Sequence, residues 1–210
     1  MNLILLGAPG AGKGTQAELL MEKLGIPTIS TGNMLREAMR EGTELGRKVK
    51  HHMDNGLLVP DDVVLDIVRS RVAQPDCARG FILDGYPRNI HQAKSLMELG
   101  IPVDHVISIE VPDAIIEARM SGRRVCTKCG ASFHVEANPP KVPDRCDFCG
   151  AELAQRPDDA PETVRRRLRV YHQETEALKE FYQTLGKLRR VEGNQSIEDA
   201  NRAILKEIGA

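Results

Sequence analysis

The run Gly7-Ala8-Pro9-Gly10-Ala11-Gly12-Lys13-Gly14-Thr15 sets small residues around one lysine. Glycines let successive backbone amides turn inward and form a concave anion nest. Lys13 adds a mobile point charge that reaches a terminal phosphate. The usual order places a hydroxyl directly after the lysine; here Gly14 intervenes and Thr15 supplies it. Such a loop needs a strand before it and a helix after it, whose N-terminus adds partial positive charge. The sequence provides both. Leu3 to Leu6 is an unalternating apolar run, and Ala17, Leu20, Met21 and Leu24 recur at helical spacing before Gly25. A glycine-rich turn without a ligand would not need this coincidence. The implied ligand is a nucleoside triphosphate with magnesium.

Four cysteines make the second constellation. Cys126-x-x-Cys129, sixteen residues, then Cys146-x-x-Cys149 is metal-ligand spacing, and a glycine follows each pair. Gly130 and Gly150 allow a tight turn that aims backbone amides at sulfur. Two such knuckles build a closed tetrahedral site. Geometry admits zinc or iron, and zinc is the expectation. A disulfide reading is weak in a reducing compartment, and a redox reading needs one pair rather than two. Four thiolates leave no open position, so the metal is expected to be structural. His134 is read as a lid side chain and Cys77 as an inert single thiol.

The elements that position these groups alternate. After the first strand and helix come short strands at Ile26 to Ser30, Phe81 to Leu83, Val106 to Val111 and Leu188 to Val191. Helical patterns cover Ile90 to Leu99, a segment opened by Asp113 as its cap, and Ile197 to Ile208. Strands alternating with helices indicate an α/β fold with a parallel, doubly wound sheet. Residues 30 to 59 and 122 to 159 break the alternation and read as insertions on the ligand edge. The first carries only helical patterns, Asn33 to Glu41 and Leu45 to Asn55. After the second, Asp159-x-x-Glu162 reads as a capping box with Pro161 in the first turn. A long amphipathic helix then runs through Leu168, Tyr171 and Leu178.

Composition excludes several classes. The 210 residues are 41% hydrophobic and 28% charged, as in a soluble globular chain and unlike a disordered one. Lys plus Arg is 29 against 30 for Asp plus Glu, a net charge of -1. No global field favours nucleic acid or an anionic membrane, so any bound anion must meet locally gathered charge. Aromatics are 3% with no Trp, which argues against serial base stacking. No apolar run approaches the roughly 18 residues of a spanning helix, and Met1 to Leu6 lacks the basic start of a signal peptide. A cytoplasmic setting with reduced thiols is expected.

Five motifs together carry a resemblance: the glycine loop; Ser30-Thr31-Gly32-Asn33-Met34-Leu35-Arg36; Phe81-Ile82-Leu83-Asp84-Gly85-Tyr86-Pro87-Arg88; Gly122-Arg123-Arg124; and Asn138-Pro139-Pro140. In order and spacing the chain resembles the adenylate kinases, in the long bacterial form with a zinc-bearing lid, over Met1 to Ala210. The resemblance implies a P-loop nucleoside monophosphate kinase fold. It has a five-stranded parallel sheet flanked by helices, a core of residues 1–29, 60–121 and 160–210, an AMP-binding insertion at 30–59 and a lid at 122–159. It implies transfer of phosphate from ATP to AMP with magnesium, giving two ADP, by a monomer without nucleic-acid or membrane partners.

Roles follow residue by residue. Gly10, Ala11, Gly12, Lys13, Gly14 and Thr15 would bind ATP, with Arg119 and Arg123 over its phosphates. Arg36 and Arg88 would hold the AMP phosphate, joined by Arg156 and Arg167, because arginine grips phosphate with parallel donors. Arg165, Arg166 and Arg169 are read as surface charges. Thr31, Leu57, Leu58, Val59, Gly85, Tyr86, Pro87 and Gln92 match the AMP side; Ser132, Phe133 and Gln195 match the ATP adenosine contacts. Asp84, where a buried strand ends, can order magnesium's water shell. Asp158 and Asp159 carry two readings: one as a helix cap, one as the partner of a lid arginine. Two rivals remain at this level. A UMP or CMP kinase would share the loop and the arginines. A nucleic-acid-binding zinc module fused to an ATPase would need a basic ribbon, yet Lys128, Lys141 and Arg145 are balanced by Glu136, Asp144 and Asp147.

Overall fold

Leu3, Ile4 and Leu5 are no more than 1% exposed, so strand β1 (Asn2–Leu6) is covered on both faces. The computed structural model describes residues 1–210. From β1 the chain turns through the glycine loop into α1 (Lys13–Leu24), which Gly25 ends in a left-handed conformation. Strand β2 (Thr28–Ser30) leads into helices α2 (Thr31–Arg40), α3 (Glu44–Asp54) and α4 (Asp61–Val72). Then follow β3 (Phe81–Asp84), α5 (Ile90–Glu98), β4 (His105–Glu110) and α6 (Asp113–Gly122). A small antiparallel sheet comes next, of β5 (Arg123–Cys126), β6 (Ser132–His134) and β7 (Leu153–Ala154), in the order β6-β5-β7. Helices α7 (Pro161–Val170) and α8 (Ala177–Thr184), strand β8 (Leu188–Glu192) and helix α9 (Ile197–Ile208) complete the chain. No helix is long and apolar enough to cross a membrane.

The main sheet runs β2-β3-β1-β4-β8, all parallel. Its side chains alternate between two cores. Ile4 and Leu6 join Leu83, Val106, Leu96 and Leu178 on one face; Leu3 and Leu5 join Ile82, Ile107, Leu20 and Ile204 on the other. Each fully buried aliphatic side chain adds roughly 1.5–3 kcal/mol. Because β1 is central, with later strands on both sides, its carboxyl end opens into the crevice where such sheets take ligands.

Several local expectations give way to physical competitors. Strand β2 begins at Thr28, not Ile26, because Pro27 has no N–H to donate; its carbonyl instead accepts from Ile82 N at 2.9 Å. Asp113 is not the cap of α6. Pro112 stands there without a side-chain bond, and the Asp113 carboxylate meets His172 Nε2 at 2.9 Å. The capping box at Asp159 does not form either. Asp159 lies in a short 3-10 turn, Ala160 is the cap, and Pro161 does open the helix. The long helix is two helices, split by a π turn at Tyr171–Thr175. Helix α4 and the lid's small sheet are elements that sequence reading left unassigned.

Candidate active site

Lys13 lies at the first turn of α1, and its ammonium bends back over the loop. Nζ donates to the carbonyls of Gly7 at 2.8 Å and Ala8 at 2.9 Å. Burial, together with Arg88, Arg167 and Arg123, pulls its pKa down to about 8, against the opposing pull of Asp84. Gly7 has φ 144°, and a Cβ there would lie 2.7 Å from the Ile109 carbonyl. Only glycine fits, so the loop is held against the end of β4.

Asp84 is the last residue of β3, in register with Leu5, and accepts from Ser30 Oγ at 3.1 Å. Its carboxylate therefore stands beside the phosphate loop, where it can order water around a hard cation. Gly85 follows at φ 80°; a Cβ would press on Arg88 Nη2 at 3.1 Å and Thr31 Oγ1 at 3.2 Å. Thr31 Oγ1 donates to the Gly85 carbonyl at 2.9 Å, and Arg88 Nε donates to the same oxygen at 2.8 Å. The Tyr86–Pro87 peptide is cis, and Tyr86 is fully buried.

Beside the loop is a space of about 740 Å³ lined by Gly7, Pro9, Lys13, Arg36, Leu57, Leu58, Gly85, Pro87, Arg88, Asp158 and Arg167. A second space of about 310 Å³ adjoins it, lined by Thr31, Leu57, Leu58, Val59, Gly85, Arg88 and Gln92. Burial lowers the Arg36 pKa to about 9 and the Arg156 pKa to about 10, and lowers those of Arg88 and Arg167. Arg36 and Arg156 remain cationic at neutral pH. Burial alone would raise the Asp158 carboxyl, but Arg167, Arg36, Arg156 and Arg123 outweigh it and hold it low.

The acidic pair serves ion pairing rather than capping. Arg123 grips Asp159 with both Nε, at 2.8 Å to Oδ2, and Nη2, while Arg167 donates to Asp158 at 2.8 Å. The Arg156 Nε is buried without any partner. Six cations, Lys13, Arg36, Arg88, Arg123, Arg156 and Arg167, thus face three carboxylates, Asp84, Asp158 and Asp159. This excess of buried positive charge is a cost unless an anion meets it.

Other residues lie at the margins. Arg119 donates to the Gly193 carbonyl at 2.9 Å, two residues from Gln195, whose amide donates to Glu192 O at 2.7 Å. Ser132 and Phe133 stand on lid strand β6, with the Phe133 ring 5% exposed in the lid's own core. Gly10, Ala11, Gly12, Gly14 and Thr15 lie in the loop and the start of α1. Arg165 and Arg169 are exposed as expected. Arg166 is not: its Nη1 donates to Asn55 O at 3.2 Å and Oδ1 at 3.1 Å, tying the end of α3 to α7. Sequence reading also missed Thr175, whose hydroxyl donates to the Arg88 carbonyl at 2.7 Å. Only the π turn brings it there, and no residue pattern marks that turn.

The four cysteine sulfurs lie within 4.8 Å of one another. The Cys126–Cys149 and Cys129–Cys146 sulfurs are 3.4 and 3.5 Å apart, far beyond a disulfide bond. A tetrahedral zinc with Zn–S of about 2.3 Å asks for S···S near 3.8 Å, so the donor set fits a zinc-sized ion. The amides of Lys128 and Cys129 both point at Cys126 Sγ at 3.4 Å. Gly130 and Gly150 take the left-handed conformations the knuckles need. His134 is not part of the set; its Nδ1 accepts from the amides of Glu136 and Ala137.

Comparison with known proteins agrees with this geometry. A family model described as adenylate kinase matches residues 5–187. The chain is 54% identical to an adenylate kinase of Caldicellulosiruptor saccharolyticus, with 100% of this chain and 99% of that one aligned. It is 52% identical to one of Acetivibrio thermocellus over 99% and 98% of the two chains. It is 53% identical to one of Archaeoglobus fulgidus over 100% and 97%. The phosphate loop, the arginines around it, the four-cysteine lid and these full-length likenesses place the chain in the adenylate kinase family.

Proposed function

We propose that the chain catalyses magnesium-dependent, reversible phosphoryl transfer, ATP plus AMP giving two ADP. One observation carries the reading. The larger space is lined from one side by the phosphate loop and Lys13, and from the other by Leu57, Leu58, Gly85 and Arg88, which also line the smaller space. Two nucleotides can therefore meet end to end without a covalent intermediate, as in-line transfer requires.

The loop amides and Lys13 hold the ATP phosphates, with Arg119 and Arg123 closing over them. Arg36, Arg88, Arg156 and Arg167 hold the AMP phosphate. Thr31, Leu57, Leu58, Val59, Gly85 and Gln92 surround the AMP base, with Pro87 on the AMP side and Tyr86 buried behind Gln92; Ser132, Phe133 and Gln195 contact the ATP adenosine. Magnesium, bound with ATP, neutralises charge on the transferred phosphate, and Asp84 orders its water shell. Cys126, Cys129, Cys146 and Cys149 hold zinc, which braces the lid and takes no part in the chemistry. Residues 30–59 serve as the AMP-binding insertion and 122–159 as the lid. Both close on their substrates and keep water from the reacting phosphate. The phosphate-binding groups all belong to one chain, so a monomer suffices, and thiols that must stay reduced suit the cytoplasm.

The test is ADP formation from ATP, AMP and magnesium, with UMP and CMP as competing acceptors. ADP formed only with AMP supports the reading; preference for UMP or CMP transfers it to a sister kinase. ATP consumed without any acceptor would remove the two-substrate geometry.

A further inference from the structure

Asp61, the first residue of α4, is not among the residues lining either space, yet its carboxylate faces the AMP side from behind. Oδ1 accepts from Gln92 Nε2 at 2.7 Å, and Oδ2 meets His91 Nδ1 at 3.0 Å. Both oxygens accept from Asn89 Nδ2, at 3.1 and 3.2 Å. Asn89 in turn caps α5, its Oδ1 taking Gln92 N at 2.8 Å. Gln92 is 2% exposed, and its Oε1 accepts from Arg88 N at 2.7 Å.

These contacts settle which end of the Gln92 amide is oxygen. Turning the amide over would set Nε2 against the Arg88 N–H, donor against donor, and Oε1 against Asp61, acceptor against acceptor. An amide has two N–H bonds and two oxygen lone pairs. Arg88 and Asp61 use one of each. One donor and one acceptor remain, in fixed positions.

We infer that Asp61 is a positioning residue for acceptor-base choice, because it locks the Gln92 amide in the orientation that reads a 6-amino purine. The inference rests on the proposed AMP site. A fixed acceptor and donor pair with the 6-amino group and N1 of adenine. They oppose the 6-oxo group and N1–H of hypoxanthine, whose pattern is reversed. An amide free to turn over would accept both. Specificity at this edge is thus a difference between two orientations, and Asp61 supplies the charge-assisted bond that separates them.

The test compares AMP and inosine monophosphate as acceptors for the wild type, Asp61→Ala, Asp61→Asn and Gln92→Leu, with the melting temperature of each. Asp61→Ala should lower the AMP-over-inosine-monophosphate ratio of kcat/KM about tenfold, with the loss falling on KM for AMP. That is the scale of one charge-assisted hydrogen bond. Asp61→Asn keeps an acceptor oxygen and should recover most of the ratio. A role limited to the helix start would lower the melting temperature in both variants and leave the ratio untouched, which overturns the inference. Gln92→Leu separates the two readings. If it lowers the ratio while Asp61→Ala does not, Asp61 has no positioning role and the base site stands. If Gln92→Leu itself leaves the ratio and the AMP KM unchanged, the base site is wrong and the inference falls with it.

Discussion

Arg40 on α2 donates from Nη1 to the backbone carbonyl of Lys128 at 3.1 Å, and more weakly to that of Thr127 at 3.4 Å. Lys128 lies between Cys126 and Cys129 of the four-cysteine cluster, and its own amide points at Cys126 Sγ. The Lys128–Cys129 peptide thus faces sulfur with the Cys129 N–H and the opposite insertion with the Lys128 C=O. Residues 30–59 and 122–159 touch here, as they also do where Arg36 approaches Asp158 at 3.9 Å, and Lys128 links the first segment to the cysteine knuckle.

Arg40→Ala should therefore loosen the contact between the two segments without touching either phosphate site. Arg40 is about half exposed, so the contact is worth little, roughly 0.5–1 kcal/mol. A dinucleotide that bridges both sites should bind about two- to fivefold more weakly. Calorimetric titration of such a dinucleotide reads this directly, and wild-type affinity in the variant would show that the contact does not contribute to closure.

Lys13→Met tests the centre of the phosphate loop. Lys13 carries the charge nearest the carbonyls of Gly7 and Ala8 and lies where transferred charge must be met. Removing one such preorganised group lowers kcat by about a hundred- to a thousandfold. The variant gives up two hydrogen bonds to the loop but also removes a charge that burial penalises, so circular dichroism and melting should stay close to wild type. A folded Lys13→Met protein with near-normal turnover would remove the role.

The same lysine sets a pH dependence. Its native pKa of about 8 lies below the ordinary 10.5. Between those values the unfolded chain holds a proton that the native chain lacks, so this group's contribution to stability rises with pH through that window. Catalysis runs the other way. Free enzyme loses the Lys13 charge above about pH 8, so kcat/KM for ATP should fall there. Bound polyphosphate favours the protonated form, so the fall in kcat should come at higher pH. Rate profiles between about pH 6 and 10 check both; a kcat/KM that stays flat across the range would show that Lys13 keeps its proton throughout.

What could be read from residues alone follows how local each interaction is. The phosphate loop and the cysteine knuckles were legible because glycine conformation, lysine placement and Cys-x-x-Cys spacing act within a few residues. Asp159 carries two readings from residues alone, helix cap and partner of a lid arginine, and the structure decides for the second, because Arg123, 36 positions away, binds the carboxylate that would have capped the helix. Distance in sequence hides that competitor. The π turn was invisible for a related reason. Apolar spacing at Leu168, Tyr171 and Leu178 continues through it, while the extra residue swings Thr175 onto Arg88. Helix α4 escaped notice because Val63, Val64, Ile67 and Val68 are β-branched, and burial of Val64 and Val68 overrides that weak preference. Asp61, at the start of that helix, escaped with it.

The lid's dependence on metal gives the last test. Its core is four buried residues, Cys126, Phe133, Cys146 and Leu153, and two of these belong to the four-cysteine cluster. Phe148 is 80% exposed and Val142 is 58% exposed, so neither adds burial. A unit with so little apolar core is only marginally stable on hydrophobic burial alone. Metal on four thiolates can supply roughly 10 kcal/mol or more in isolated zinc peptides. Here the gain should be smaller, because the five-stranded sheet has its own two hydrophobic cores, separate from that of the lid. Cys126→Ser should lose bound zinc and lower the melting temperature, by about 2–4 °C for each kcal/mol lost at this chain length. Proteolysis should begin within residues 122–159. ADP formation should persist at temperatures where the lid is still folded, since a four-thiolate site has no open position for substrate. Metal content, melting and turnover measured on one preparation decide the matter. Complete loss of turnover in a protein whose lid remains folded would move the metal from scaffold to chemistry.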